Sequence, residues 1–271
     1  MKSIKDKVAI VGMGCSKFGE RWDASIDDLV IESAYEAYED AGIDPKDIQA
    51  CWYGTVTQPL IGDGCTHLAR PLKLHGIPMT RVEAWCITGH EALRNACFAV
   101  ACGMYDLVLA LGAEKLKDTG FPGLGAGRGM SPVLETRRTA PGSFGMIGTR
   151  YFYAHGLSPE EGKRTIGKIA VKNHYNGSMC PKAHFHNKIT LEQVLKAPII
   201  AWPLGLFDCC GNSDGSAAAI IVPADQAKKY RDDPIYIKGL GTAHIGLLPQ
   251  NRPGFDWLHF EEVINSAQQA Y

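Results

Sequence analysis

The sequence predicts an α/β fold in which a mostly parallel mixed sheet is covered by helices. Short apolar runs alternate with segments of helical periodicity, which is typical of strands that pair in parallel and are joined by helices. Between residues 115 and 210 this alternation is interrupted by a stretch of different composition. The chain has 271 residues, which is enough for one large or two small domains.

The first strand is predicted at residues 7–14 (KVAIVGMG), a short apolar run closed by glycines. The helix that follows should begin after Ser25, which can cap it, and end at Gly42. The same patterns predict three more strands and two more helices in this part of the chain. The strands are expected at 49–56, 81–86 and 105–114, and the helices around 64–74 and at 87–103.

Residues 115–210 are interpreted as an inserted loop domain. Glycine and proline dominate 119–145, and two capped helices follow. The first has a capping box at Ser158–Glu161 and runs through His174, and the second begins at Thr190. A stretch this long inside a compact fold is usually functional. Strands are predicted to return at 216–222 and 234–245.

Composition argues against several classes of protein. A net charge of −1 and a pI near 6.7 predict no nucleic-acid partner. The N-terminus has no signal-peptide pattern, and the most apolar window, 96–113, is interrupted by Gly103 and Asp106, so we expect no membrane span. Nine cysteines without a C-x-x-C pair predict neither a disulfide scaffold nor a zinc site, but a protein of the reducing cytoplasm.

Cys86 is the strongest candidate for a reactive residue, because it lies where a predicted strand meets a predicted helix. The N–H groups and the dipole at a helix N-terminus favour a thiolate and can hold a developing oxyanion. Lowering a thiol pKa from ~8.5 to ~7 would raise the ionised fraction roughly fifteen-fold at pH 7. The alternative is a buried cysteine that only packs.

Two neighbours of Cys86 are candidate binding residues. His90 is one helical turn further along and could contact the thiolate or a bound acyl group, or be a polar residue packed in the helix. Gly89 has no side chain, so a substrate or a neighbouring loop could approach it closely.

Four further motifs favour a structural interpretation. The C-x-x-x-H-x-H pattern of 180–186 does not match a closed zinc site, so a surface loop and no metal are expected. The glycine-rich stretches at 123–129 and 12–19 lack the context and the spacing of a phosphate-binding loop. The adjacent Cys209 and Cys210 are expected to pack rather than to act as a redox pair.

Several segments together resemble the thiolase superfamily. Cys86 in WCITGHEAL resembles its nucleophile motif, a cysteine followed by Ser/Ala, Ser/Thr and Gly, and YDLVLALGAEK (105–115) resembles the strand and turn that follow. The other three segments resemble the sterol-carrier-protein-type, or lipid-transfer, branch. They are FGMIGTRYFYAHG (144–156), IAVKNHYNGSMCPKAHF (169–185) and CCGNSDGSAAAIIV (209–222).

The resemblance implies a function and a domain plan. Family members transfer acyl groups through a cysteine, in thiolytic cleavage of a 3-oxoacyl-CoA or the reverse Claisen condensation. Coenzyme A is then a substrate, and no bound cofactor is implied. The plan assigns 1–114 and 211–255 to the core, 115–210 to a loop domain that covers coenzyme A, and 256–271 to the start of a second half. The implied substrate contacts are Asn212, Ser213 and Phe144.

This sequence also departs from the family. His90 replaces a residue that is commonly small, and the G-H-P histidine, the second cysteine and the N-E or H-D motif of the family are absent. We therefore expect only one half of the catalytic apparatus here, and a helix at 256–271 that docks on material outside the sequence or frays. The alternatives are an aldolase that cleaves a carbon–carbon bond in an acyl-CoA side chain, and a non-catalytic acyl-CoA-binding subunit.

The family resemblance also implies partners. Members usually dimerise through the nucleophilic half by pairing sheet edges, and bacterial and archaeal members of this branch often work with a small zinc-ribbon/OB-fold protein. A cytoplasmic homodimer with a degradative role in lipid metabolism is the corresponding expectation.

Overall fold

A six-stranded sheet organises the larger part of the chain. In the computed structural model its strands lie in the order β3 (Met79–Val82), β2 (Ala50–Gly54), β4 (Val108–Glu114), β7 (Gly215–Pro223), β1 (Val8–Cys15) and β8 (Ile235–Tyr236). Strand β2 pairs in parallel with β3 and β4, and β7 runs antiparallel to both β4 and β1. Four strands therefore share one direction, and β7 and β8 oppose them. The mostly parallel mixed sheet predicted from the sequence is confirmed.

The structure describes residues 3–57, 65, 68–119, 139–245 and 252–271. The strands are β1 Val8–Cys15, β2 Ala50–Gly54, β3 Met79–Val82, β4 Val108–Glu114, β5 Ile199–Ala201, β6 Leu204–Gly205, β7 Gly215–Pro223 and β8 Ile235–Tyr236. The α-helices are α1 Ile26–Ala41, α2 Thr88–Ala101, α3 Ala140–Ala154, α4 Pro159–Gly177, α5 Leu191–Lys196 and α6 Glu261–Ala270. Within these ranges no helix has the length and apolarity needed to cross a membrane.

The chain divides into two units. The first contains the described residues of Met1–Thr119, Ser213–Ala243 and Asn265–Tyr271, and the second those of Gly120–Asn212 and His244–Ile264. In the first unit, α1 begins after Ser25, whose side chain accepts the Asp28 N–H, and it ends at Gly42. Both predicted ends of this helix are confirmed, because they depend on local hydrogen bonds that the sequence displays.

Three predicted elements of the first unit are wrong in extent. Within the helix expected around 64–74, the described residues 69–73 form turns, and Lys73 has a positive φ of 55°, outside the range of a helix interior. The strand expected at 81–86 ends at Val82, because the following N–H groups bond to nearby side chains instead of a neighbouring strand. The strand expected at 234–245 is limited to Ile235–Tyr236, the two residues that pair with β1.

The second unit contains α3, α4, α5 and the β5–β6 hairpin. The capping boxes predicted at Ser158 and Thr190 are present, with Glu161 and Gln193 as their partners. Helix α3 is an addition, since its sequence is rich in glycine and was not expected to be helical.

Helix α6 contacts the chain itself through its C-terminal half. A Cβ placed on Gly241 would lie 1.8 Å from the carbonyl oxygen of Ser266, and one on Gly239 would lie 2.1 Å from that of Ala270. This contradicts the expectation that the helix docks only on material outside the sequence. On the N-terminal half of the helix, Val263 is 61% exposed.

Candidate active site

Cys86 lies in a 3₁₀ turn, Trp85–Ile87, directly before α2 begins at Thr88. It is exposed, whereas Cys51, Cys65 and Cys97 are buried in the core. Its predicted place beside a helix N-terminus is confirmed, and it is not buried among the described residues.

The N-terminus of α2 is not capped by a side chain. Ile87 occupies the capping position and makes no side-chain hydrogen bond to the helix. Helices α1, α3, α4 and α5, in contrast, are capped by Ser25, Thr139, Ser158 and Thr190. The positive end of the α2 dipole is thus left beside an exposed thiol, an arrangement suited to a thiolate or an oxyanion.

The first turn of α2 rests on two glycines at the carboxyl ends of neighbouring strands. Gly54 of β2 and Gly112 of β4 are directly paired. A Cβ on Gly54 would lie 2.8 Å from the Thr88 carbonyl oxygen, and one on Gly112 would lie 3.4 Å from the Gly89 Cα. The absence of a side chain at Gly54 therefore lets the first turn of α2 pack directly against the carboxyl end of β2.

Replacing Gly54 with alanine should displace this turn, because a contact of 2.8 Å with backbone forces the helix to shift. We expect a loss of about 1–3 kcal/mol in the free energy of unfolding, together with slower alkylation of Cys86. Gly112→Ala is the matched control, since its methyl group meets an ordinary contact distance. Chemical denaturation and thiol alkylation of both variants measure the difference, and equal effects would contradict this view of the site.

The backbone around Cys86 is strained. Trp85 has a positive φ of 51°, an unusual conformation for a bulky residue, which costs about 1–3 kcal/mol. Its N–H donates to a carboxylate oxygen of Glu83 at 2.6 Å. Its carbonyl accepts from the Thr88 hydroxyl at 2.6 Å, and the same hydroxyl accepts from the Ala84 N–H at 2.9 Å. Side chains on both sides therefore hold the turn that presents Cys86.

The two predicted neighbours of Cys86, His90 and Gly89, differ in burial and in their contacts. The His90 ring is half-buried, and its Nε2 lies 2.9 Å from the hydroxyl of Thr242. This contact orients the ring toward Thr242. Gly89 is exposed, and a Cβ added there would meet no atom of the described residues within 4 Å. The space beside Gly89 is therefore open to a ligand, as its lack of a side chain had suggested.

Asn212 and Ser213, the predicted contacts of the substrate, are half-buried and precede a fully buried carboxylate. Asp214 accepts hydrogen bonds from the Lys115 ammonium at 3.0 Å and the Lys117 N–H at 2.9 Å. The chain just after Ser213 is thereby tied to the segment that follows β4.

Lys115 is itself 1% exposed and is shared between Asp214 and Asp118, at 3.0 and 2.9 Å. Burial lowers the pKa of Lys115, but the hydrogen bonds to Asp118 and Asp214 outweigh it and leave the pKa raised. The lysine is therefore charged at neutral pH. Sequence reasoning missed Asp214, although a lone carboxylate at the start of an apolar strand was a signal for it.

Phe144, the third predicted contact, belongs to the second unit. It lies on α3 and is 63% exposed. Its ring is available to a ligand of that unit.

Three of the four motifs that favoured a structural interpretation lie among the described residues. His184 stacks on Phe185 at 4.3 Å between ring centroids, and the described residues contain no group of three His, Cys, Asp or Glu that could hold a metal ion. Burial raises the pKa of the Cys209 thiol, which disfavours redox chemistry there. Most of 12–19 belongs to β1, and the glycine-rich stretch at 123–129 lies outside the described residues.

Comparison with known proteins points to one family. Residues 8–125 match the family model described as the N-terminal domain of thiolase. An acetyl-CoA acetyltransferase of Methanocaldococcus jannaschii is 40% identical, over 97% of this chain and 68% of its own length. Sterol carrier protein 2 of Gallus gallus is 31% identical, over 84% of this chain and 43% of its own length. The solved structure titled Ltp2-ChsH2(DUF35) aldolase has the same fold, with a TM-score of 0.80 at 24% identity over 98% of this chain and 69% of its own.

Proposed function

This chain belongs to the thiolase superfamily, in its sterol-carrier-protein-type branch, and from that membership we propose that Cys86 is the residue that accepts the acyl group. The chain is thiolase-like and of the acyltransferase type. One observation carries the proposal: the cysteine of the family motif is exposed at the uncapped N-terminus of α2.

The proposed chemistry uses the thiolate of Cys86 as a nucleophile. It attacks the 3-oxo carbonyl carbon of a 3-oxoacyl-CoA, and N–H groups at the start of α2 stabilise the oxyanion that forms. The oxyanion collapses, the bond between C2 and C3 breaks, and its electron pair stays on C2. The acyl group is then a thioester of Cys86. The thiolate of free coenzyme A attacks that thioester, releases the shortened acyl-CoA and regenerates the Cys86 thiolate.

The step that protonates C2 needs an acid, and the family motifs that would supply one are absent from this sequence. The chain spans about two thirds of the length of its relative from Methanocaldococcus jannaschii. The role proposed for these residues is therefore acyl acceptance and oxyanion stabilisation. Turnover is a proposal for the whole protein, and the degradative direction belongs to that proposal.

The second unit is proposed to cover coenzyme A, with Phe144 as one of its contacts. Residues 120–212 contain eleven Lys and Arg against five Asp and Glu, although the whole chain has a net charge of −1. Arg164, Lys168 and Lys172 follow one another at intervals of four along α4, so they share one face, and all three are exposed. A basic face of this kind suits the phosphates of coenzyme A.

Neutralising this face should weaken the binding of coenzyme A. For the triple variant Arg164→Gln/Lys168→Gln/Lys172→Gln we expect a Kd roughly three to thirty times higher, with a smaller dependence on salt, because exposed charges are screened. Lys196→Gln is the control, since this lysine belongs to another helix and is paired with Glu192. Isothermal titration at two salt concentrations measures both effects, and an unchanged Kd would contradict the proposal.

The assignment of Cys86 predicts selective reactivity. Iodoacetamide should label Cys86 first at pH 7, ahead of the other exposed cysteines Cys102, Cys180 and Cys210, and an acyl-CoA should protect it. Peptide mass spectrometry after short exposures measures the order of labelling. Uniform labelling, or labelling led by Cys209 or Cys210, would count against the assignment.

A second candidate function is an aldolase that cleaves a carbon–carbon bond in an acyl-CoA side chain. The fold of the Ltp2-ChsH2 aldolase covers 98% of this chain, and His90 stands where the family commonly has a small residue. An aldolase would release an aldehyde or ketone without free coenzyme A and would form no thioester on Cys86. A non-catalytic subunit would bind acyl-CoA and do neither.

The proposal extends to assembly and location. We place the protein in the cytoplasm as a homodimer formed through the first unit, with a small zinc-ribbon/OB-fold protein as a further partner. Support comes from β3, which ends the six-stranded sheet in the described part of the chain. An exposed sheet edge is a natural pairing surface. The native mass, measured by light scattering at micromolar concentration, distinguishes a dimer from a monomer.

A further inference from the structure

We propose that Thr88 is a positioning residue for Cys86, because its hydroxyl holds Trp85 in the strained conformation that presents the thiol. The inference rests on the proposed role of Cys86 as the nucleophile and names the group that orients it.

The Thr88 hydroxyl uses both of its hydrogen-bonding capacities within the turn. It donates to the Trp85 carbonyl at 2.6 Å and accepts from the Ala84 N–H at 2.9 Å. These two backbone groups lie on either side of the Trp85 φ angle, which has the unusual positive value of 51°. The Thr88 side chain therefore forms hydrogen bonds to the backbone on both sides of Trp85, the residue that directly precedes Cys86.

Trp85 has no preference of its own for this conformation. Positive φ is uncommon for residues with a side chain, and among them Asn adopts it most readily. The Trp85 ring is 57% exposed, so packing does not account for the strain. Hydrogen bonds hold this backbone: the side chains of Thr88 and Glu83 bond to it, and the Ile87 N–H donates to the Ala84 carbonyl at 3.2 Å.

Thr88 is fixed at its own position. It is 5% exposed, and its carbonyl oxygen faces Gly54 at a distance that leaves no room for a methyl group. Burial and this close contact restrict the residue, and its two hydrogen bonds place the hydroxyl beside the turn. The direction of the Cys86 side chain follows from the backbone that this hydroxyl fixes.

The first test compares Thr88→Val with Thr88→Ser. Valine keeps the shape but removes the hydroxyl, whereas serine keeps the hydroxyl. We expect iodoacetamide to alkylate Cys86 about ten times more slowly in Thr88→Val, with a changed pH profile, and near the wild-type rate in Thr88→Ser. Cys102, exposed just after the far end of α2, is the internal reference and should react at the same rate in all three proteins.

The second test changes the residue that bears the strain. In the Thr88→Val background, Trp85→Asn should recover part of the lost rate because Asn tolerates positive φ, and Trp85→Val should not, because a β-branched residue resists it. Recovery by both substitutions or by neither, in variants with the wild-type thermal transition, would overturn the inference.

The assignment of Cys86 as the nucleophile and the positioning role of Thr88 can be refuted independently. If wild-type Cys86 reacts no faster than Cys102, the assignment of the nucleophile fails. If wild-type Cys86 reacts selectively and Thr88→Val matches it, Cys86 stands as nucleophile and the positioning role of Thr88 is refuted.

Discussion

Replacing Cys86 with alanine should lower the rate of acyl transfer between coenzyme A thioesters by about 10³-fold or more. The acyl group then has no residue to accept it, and removing a nucleophile commonly costs this much or more. The assay uses the whole protein with a 3-oxoacyl-CoA and free coenzyme A, and follows the loss of the substrate.

Cys102→Ala is the matched control for this loss. Both cysteines are exposed and border the same helix, at opposite ends, so their removal should change stability within about 0.5 kcal/mol. The control variant should keep the wild-type rate. Comparable losses in the two variants, or turnover by Cys86→Ala, would contradict the proposed role of Cys86.

Replacing Asp214 with alanine should have the largest effect on stability, a loss of about 3–5 kcal/mol in the free energy of unfolding. Asp214 is 0% exposed, and its removal would take from the buried ammonium of Lys115 its fully buried carboxylate partner. It would also leave the Lys117 N–H without its acceptor. Asp214→Asn should lose less, because its amide oxygen can still accept hydrogen bonds.

Chemical denaturation measures the free energy of unfolding lost in Asp214→Ala. The exposed pair Lys196–Glu192 is the control for a pair that contributes little. Both side chains of that pair are about three-quarters exposed, so Glu192→Ala should cost less than about 0.5 kcal/mol. If Asp214→Ala cost no more than Glu192→Ala, the buried pair would not be a structural anchor of the segment before β7.

The pH dependence of the stability that the buried Lys115–Asp214 pair contributes follows from the pKa of Lys115. Its pKa in the folded protein is raised above the ordinary lysine value of 10.5. Such a group stabilises the fold fully below its unfolded pKa, and the contribution is lost as the pH rises through the folded value. Stability from Lys115 is therefore constant at neutral pH and decreases only in strongly alkaline solution.

Helices with local start and stop signals could be predicted from the sequence. Ser25, Gly42, Ser158 and Thr190 each form the cap that their residue type suggested, because a cap depends on residues within one turn. Helix α3 was missed although Thr139 caps its start, because its sequence is rich in glycine. A Cβ on its Gly145 would lie 2.6 Å from the Trp202 carbonyl oxygen, so that glycine reflects a tertiary contact, not a loop.

Some features of the candidate site could likewise be predicted from local sequence patterns, and others could not. Cys86 could be identified because its place between a strand and a helix is visible in local patterns, and the family motif surrounds it. The contact of His90 with Thr242 joins residues 152 positions apart, which no local pattern encodes. The positive φ of Trp85 was equally hidden, since tryptophan gives no sign of a left-handed conformation.

The most direct test of Cys86 as the acyl acceptor is to detect the acyl-enzyme itself. The whole protein is mixed with a 3-oxoacyl-CoA, quenched in acid before free coenzyme A is added, digested and analysed by mass spectrometry. We expect one acyl group, carried by the peptide that contains Cys86 and lost when coenzyme A is added before the quench. An acyl group on a different cysteine, or cleavage of the substrate with Cys86 unmodified at every time point, would contradict it.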